Sequence, residues 1–141
     1  MTASVLIPSW NRPAALAKCL AALAAQTVPP DQVIVVWQGD DVATRDAAAG
    51  VPVPYRLDVL HSPECGVVPA ENLALAHSTG DVIALIDDDA VPRPDWLARH
   101  LAFYADPTVG AVGGPADNYF PDGSPFPRNA VEPVGTVAWY G

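Results

Sequence analysis

Positive charge is scarce in this chain. Seven Lys plus Arg stand against sixteen Asp plus Glu in 141 residues, a formal net charge of −9. A nucleic-acid binder needs a basic face for phosphates, and this composition argues against one. Cysteine is nearly absent too. Cys19 and Cys65 have no C-x-x-C spacing and no His pair beside them, so a zinc site is not read. His61, His77 and His100 likewise show no ligand spacing. Two reduced thiols in a cytoplasmic protein is the simpler reading. Long hydrophobic runs are also missing. The first apolar stretch starts at Val5 without a basic leader and stops at Pro8, which fits no signal peptide. The stretch "ALAKCLAALAA" is interrupted by Lys18 and is too short to span a bilayer.

What remains is apolar and rich in proline. Half of the residues are hydrophobic, enough for the single core of one domain. Sixteen prolines are many, and half of them lie at or beyond Pro92. The C-terminal third is therefore read as extended segments and turns more than helix.

The spacing predicts strands over 4–8, 32–37, 55–61, 81–87 and 108–114, and one more in the terminal "VGTVAWYG". It predicts helices over 14–26, from Asp40 or Asp41 to Ala49, over 70–78 and over 93–105, the last with Pro94 in its first turn. Trp96 is read as the hydrophobic anchor of that last helix. The clearest strands are apolar throughout. That is the pattern of a mostly parallel sheet with helices on both faces, an α/β Rossmann-like fold. Ligands of such sheets lie outside the carboxyl ends of the strands. Three of those ends are polar here: "SWNR", "QGDD" and "DDD".

The third end is the most informative. In "ALIDDDAVPRPDW" an apolar run delivers Asp87, Asp88 and Asp89 together, and adjacent carboxylates repel one another. If the chain stays extended, Asp87 and Asp89 point one way and Asp88 the other. Two hard oxygen donors so placed suit Mg²⁺ or Mn²⁺, which offsets the repulsion and fills its shell with substrate phosphate oxygens. A helix N-cap explains one such acid, but not three.

The segments "VLIPSWNRP", "LAAQTVPPDQVIVV", "AENLALAHSTGDVIALIDDDAVPRPDWL" and, more weakly, "VGTVAWYG" resemble the N-terminal part of a family 2 glycosyltransferase of the GT-A fold, in order and approximate spacing. The resemblance implies that residues 1–141 form one domain binding a nucleotide diphosphate sugar, within a longer glycosyltransferase. It implies that Asp87 to Asp89 are the family's DxD motif, with Asp87 and Asp89 on the metal. The nucleotide pocket it implies is lined by Pro8, Ser9, Trp10, Asn11, Arg12, Gln38, Gly39, Asp40, Asn72, Asp87 and Asp88, with the "STGD" turn at 78–81 as a further segment. The chain departs from the family at two places in that pocket. Trp37 and Gln38 stand where members usually carry an acidic pair, and Glu71 stands where many carry Arg. The base preference, commonly uracil, is left open. Gln38 still offers a donor and an acceptor to a base edge.

The family's catalytic base and acceptor site normally lie well beyond the DxD, so no base is named. Asp117 and Glu132 are the candidates to test first, and no sugar transfer is expected of these 141 residues alone. Arg12 is a candidate partner for a diphosphate. Trp10 and Trp37 are candidates for stacking on a base or for the core. Trp139 and Tyr140 either border a sugar or pack. A second enzyme class also fits "DDDAV": a haloacid dehalogenase-like phosphatase with Asp87 as nucleophile. That class needs a later Lys, and the chain's single Lys is Lys18, far upstream. A nucleotide-binding fragment without catalysis is the remaining alternative.

Overall fold

In the computed structural model the described residues are 1–117, 119–120 and 123–125. They fall into two compact units, divided between Gly110 and Ala111. The first unit alternates strand and helix: β1 (Ala3–Ser9), α1 (Pro13–Ala24), β2 (Gln32–Gln38), α2 (Val42–Gly50), β3 (Arg56–Ser62), α3 (Val67–His77), β4 (Val82–Leu85) and α4 (Trp96–Phe103). The four strands form one sheet in the order β3-β2-β1-β4, and every pairing is parallel.

Residue alternation along the strands explains the two cores. Val5 and Ile7 of β1 and Val33 and Val35 of β2 face Leu16, Cys19, Leu20 and Leu23 of α1 and Ala48 of α2. Leu6, Ile34 and Val36 face the opposite side, against Ala70 and Ala74 of α3. A central strand covered on both faces has no solvent face, so its sequence carries no polar alternation. β3 lies at the edge and is half-buried, hence the alternation in "YRLDVLH". Polar groups close the joints between elements. The Gln26 side chain donates to the carbonyl of Ala22 at the end of α1 and to that of Arg93, and accepts from the Leu97 amide of α4. The Tyr55 hydroxyl donates to the Leu20 carbonyl.

Several expectations are corrected. Residues 108–114 form no strand. Gly113, Gly114 and Pro115 cost backbone entropy and a ladder donor, and most of this stretch is exposed. The last helix starts at Trp96, with Asp95 as its N-cap, so Pro94 precedes the helix. Two prolines close together keep residues 91 and 93 out of the helical region. Trp96 does pack against the larger core. β4 is short, and Leu85 is 58% exposed although it sits in an apolar run. In the second unit Tyr119 and Pro125 form an antiparallel bridge around a turn at Gly123, whose φ is +83°. The terminal "VGTVAWYG", Trp139, Tyr140 and Glu132 lie outside the described residues.

Candidate functional site

The order β3-β2-β1-β4 reverses direction beside β1. The chain leaves β1 towards β2 through α1 on one face, and returns from β3 to β4 through α3 on the other. The carboxyl edge of the sheet at such a reversal of strand order is where open α/β sheets bind ligands. An open cleft of about 810 Å³ lies there, lined by Pro8, Trp10, Asn11, Arg12, Gln38, Cys65, Gly66, Val67 and Asp87 to Asp89. That size suits a small-molecule site.

The turn after β1 is held in an unusual backbone state. Asn11 has φ +56°, a region that Asn tolerates better than most residues. Its amide donates to the Asp41 carboxylate, which also accepts from the Thr44 amide and so caps α2. Burial pushes the Asp41 pKa up, but hydrogen bonding from Thr44 and the Asn11 amide outweighs it and holds the carboxyl below its usual value. Arg12 then occupies the N-cap of α1, and Pro13 opens the helix.

The acids do not alternate as an extended chain requires. β4 ends at Leu85, and Asp87 to Ala90 form a turn closed by the Ala90 amide on the Asp87 carbonyl at 3.1 Å. Asp88 is buried and accepts from the Ser9 hydroxyl at 2.6 Å. Arg12 Nη1 lies 3.2 Å from Asp88 and 2.6 Å from Asp89, bridging the two. Asp88 and Asp89 thus address one cation, where the alternation rule had set Asp88 apart. Arg12 also answers the repulsion among the acids. Beneath them the Cys19 thiol donates to the Asp87 carbonyl. Burial first, then the three aspartates, push its pKa up to about 12.

Seven of the residues expected to bind nucleotide line the cleft, and four do not. Ser9 is buried and acts through Asp88. Gly39 and Asp40 follow β2 outside the lining, and Asn72 is exposed midway along α3. The "STGD" turn sits at the opposite edge of the sheet. α3 runs back against the strands, so its end delivers Thr79 and Gly80 to the start of β1, where their amides bond Ser4 and Gln32. A smaller cleft of about 520 Å³ at that edge includes Asp81, whose carboxylate is already engaged by the Thr2 amide and hydroxyl.

Gln38 is not free to read a base. Its Oε1 accepts from the Gly66 amide at 2.6 Å and its Nε2 donates to the Ser9 carbonyl at 3.4 Å. It ties β1 to the start of α3. Trp37 stacks on His61 at 3.9 Å, with Arg45 over its ring, and does not line the cleft. Cys65, Gly66 and Val67 were missed as lining residues. The signal was available: "SPECGVV" follows β3, a fourth strand end at the same edge.

Asp87 and Asp89 present hard carboxylate oxygens to the cleft, whose lining has no His. This donor chemistry fits Mg²⁺ or Mn²⁺. Among the described residues no three His, Cys, Asp or Glu side chains are grouped to hold a metal unaided. The residues fit a cation that takes its remaining ligands from water and a diphosphate.

The profile of glycosyl transferase family 2 matches residues 4–137. The chain belongs to this family. Glycosyltransferase AglE of Haloferax volcanii is 32% identical over 124 residues, covering 85% of this chain and 41% of that protein. The succinoglycan biosynthesis protein ExoM of Rhizobium meliloti is 33% identical over 117 residues, covering 79% of this chain and 38% of that protein. The chain spans about two-fifths of these relatives. A mannosyltransferase of Pyrobaculum calidifontis, solved in complex with GDP-mannose and Mn²⁺, superposes with a TM-score of 0.67 at 33% identity, over 77% of this chain and 33% of that one. Glucosyl-3-phosphoglycerate synthase of Mycobacterium tuberculosis superposes with a TM-score of 0.62 at 21% identity, over 74% of this chain and 40% of that one, a likeness of fold. The architecture is that of the GT-A members of family 2. Among the described residues no helix is long and apolar enough to cross a membrane.

Proposed function

We propose that this chain forms the donor side of a metal-dependent glycosyltransferase, which moves a sugar from a nucleotide diphosphate sugar to an acceptor. The observation that carries the reading is the convergence of the β1 turn and the aspartate turn after β4 on one cleft at the switch point of the sheet. The relative with GDP-mannose and Mn²⁺ in its structure supports the same chemistry.

In this reading Pro8, Trp10 and Asn11 form one wall for the nucleoside, and Gly66 and Val67 the facing wall. Asp87 and Asp89 hold the cation. Asp88 is locked by Ser9 and fixes the turn that presents its neighbours. When bound, a divalent cation supplies Lewis-acid stabilisation of the departing diphosphate. The phosphatase alternative lacks its Lys, since Lys18 is exposed on α1 and does not line the cleft.

Calorimetry with GDP and UDP sugars, with and without Mn²⁺, tests the proposal. Binding of at least one nucleotide that strengthens with Mn²⁺ is expected. Absence of any such binding, or binding indifferent to the cation, contradicts it.

A further inference from the structure

Arg12 is the one Lys or Arg among the residues that line the cleft. Among the described residues its side chain hydrogen-bonds only to acids, and Nη1 makes both bonds, to Asp88 and Asp89. Its backbone is fixed on both sides, by Asn11 pinned to Asp41 and by Pro13 at the start of α1. Any change of partner at Arg12 is therefore a movement of its side chain. The two pairs it makes are unlike. The Asp88 side chain is only 6% exposed, and Ser9 holds it independently of Arg12. Asp89 and Arg12 are each about half exposed, 54% and 53%. An ion pair that open to water is weak. A compact ion of twice the charge would attract Asp89 more strongly at the same distance.

We infer that Arg12 is a resident counter-ion of the acid turn: it occupies Asp89 while the divalent cation is absent, and yields it to that cation as the donor diphosphate binds. This rests on the reading of the cleft as a donor site. The released guanidinium keeps a planar fork of donors suited to phosphate oxygens. Cation and diphosphate then bind cooperatively. One frees Arg12, the other captures it, and the coupling is reciprocal.

The test is calorimetry of Mn²⁺ binding to the unaltered chain and to Arg12→Gln, first with Mn²⁺ alone and then with saturating GDP or UDP. Without nucleotide, Arg12→Gln is expected to bind Mn²⁺ roughly fivefold tighter, since a competing charge is gone. The tightening of Mn²⁺ by the nucleotide is expected to shrink in the same variant. Equal or weaker binding of Mn²⁺ alone overturns the counter-ion role. If Arg12→Gln does not fold, NMR of the Arg12 Nε–H in the unaltered chain decides. Its resonance is expected to shift on titration with Mg²⁺ in the presence of GDP or UDP, and an unmoved resonance at saturating Mg²⁺ and nucleotide overturns the role. Failure of the unaltered chain to bind Mn²⁺ even with GDP or UDP overturns the donor-site reading itself. Binding with nucleotide, but no gain from Arg12→Gln, removes only the counter-ion.

Discussion

Asp88 is buried and Asp89 exposed, and their substitutions should separate accordingly. Asp89 is half exposed and its ion pair with Arg12 is open to water. Such a pair is worth about 0–1 kcal/mol, so Asp89→Ala should leave the melting temperature nearly unchanged. In the proposed site the same substitution should weaken Mn²⁺-dependent nucleotide binding at least about tenfold, because it would remove a ligand rather than an outer-shell partner. Unchanged Mn²⁺-dependent binding in calorimetry would remove Asp89 from the metal site. Asp88→Ala should behave in the opposite order. It leaves the buried Ser9 hydroxyl without its acceptor, and an unpaired buried polar group costs about 1–3 kcal/mol. Thermal melts of the two variants side by side distinguish the roles. Sequence showed the acid cluster but not this division of labour. Alternation assumes an extended chain, and the turn at Asp87 to Ala90 breaks that assumption.

At the scale of elements, the site depends on how the ends of strands and helices are pinned. Asp41 serves two elements, capping α2 through Thr44 and holding the positive-φ turn at Asn11. Asp41→Ala should cost about 0.5–2 kcal/mol in denaturant unfolding, the range of a lost N-cap. It should also weaken nucleotide binding, since the turn that carries Arg12 is released. A variant that loses the cap's stability but binds nucleotide unchanged would show that the turn holds itself. Gly80 pins the other edge of the sheet. A Cβ there would lie 2.5 Å from the Ser4 nitrogen and 2.8 Å from the Ala3 carbonyl carbon, backbone atoms that cannot rotate away. Gly80→Ala should destabilise by about 1–3 kcal/mol, as overpacking does, with nucleotide affinity preserved in the fraction that folds. A melt indistinguishable from the parent would show that β1 shifts freely. The strands and α1 were legible because β1 and β2 are buried on both faces and α1 is a run of Ala and Leu. The place of "STGD" was not. Its role depends on which edge α3 reaches, a property of the crossover rather than of the four residues. The lining role of Gly66 and Val67 was hidden similarly, because their segment carries little charge and is recognised only by its position after β3.

For the molecule as a whole, the core beneath the acids sets how the fold tolerates alkali. Cys19 is fully buried, and burial followed by the three aspartates moves its pKa from 9.0 to about 12. Tyr55 is buried in the same core, and burial followed by Cys19 raises its pKa above the ordinary 10.0. Both groups keep their protons in the folded chain at a pH where the unfolded chain has lost them. Below pH 9 the two states hold the same protons and neither group makes stability depend on pH. Above it the unfolded state is favoured, by about 1.4 kcal/mol per pH unit for each group so displaced. The loss should begin near pH 9 with Cys19, steepen beyond pH 10 as Tyr55 joins, and for Cys19 run its course by about pH 12. Urea unfolding followed by circular dichroism from pH 8 to pH 11 measures it directly. The midpoint should hold up to about pH 9 and then fall. Cys19→Ala should start from lower stability, because a buried side chain is truncated, yet fall less steeply between pH 9 and pH 10. Parallel curves for the parent and Cys19→Ala across that interval would mean that the thiol beneath Asp87 does not couple to folding.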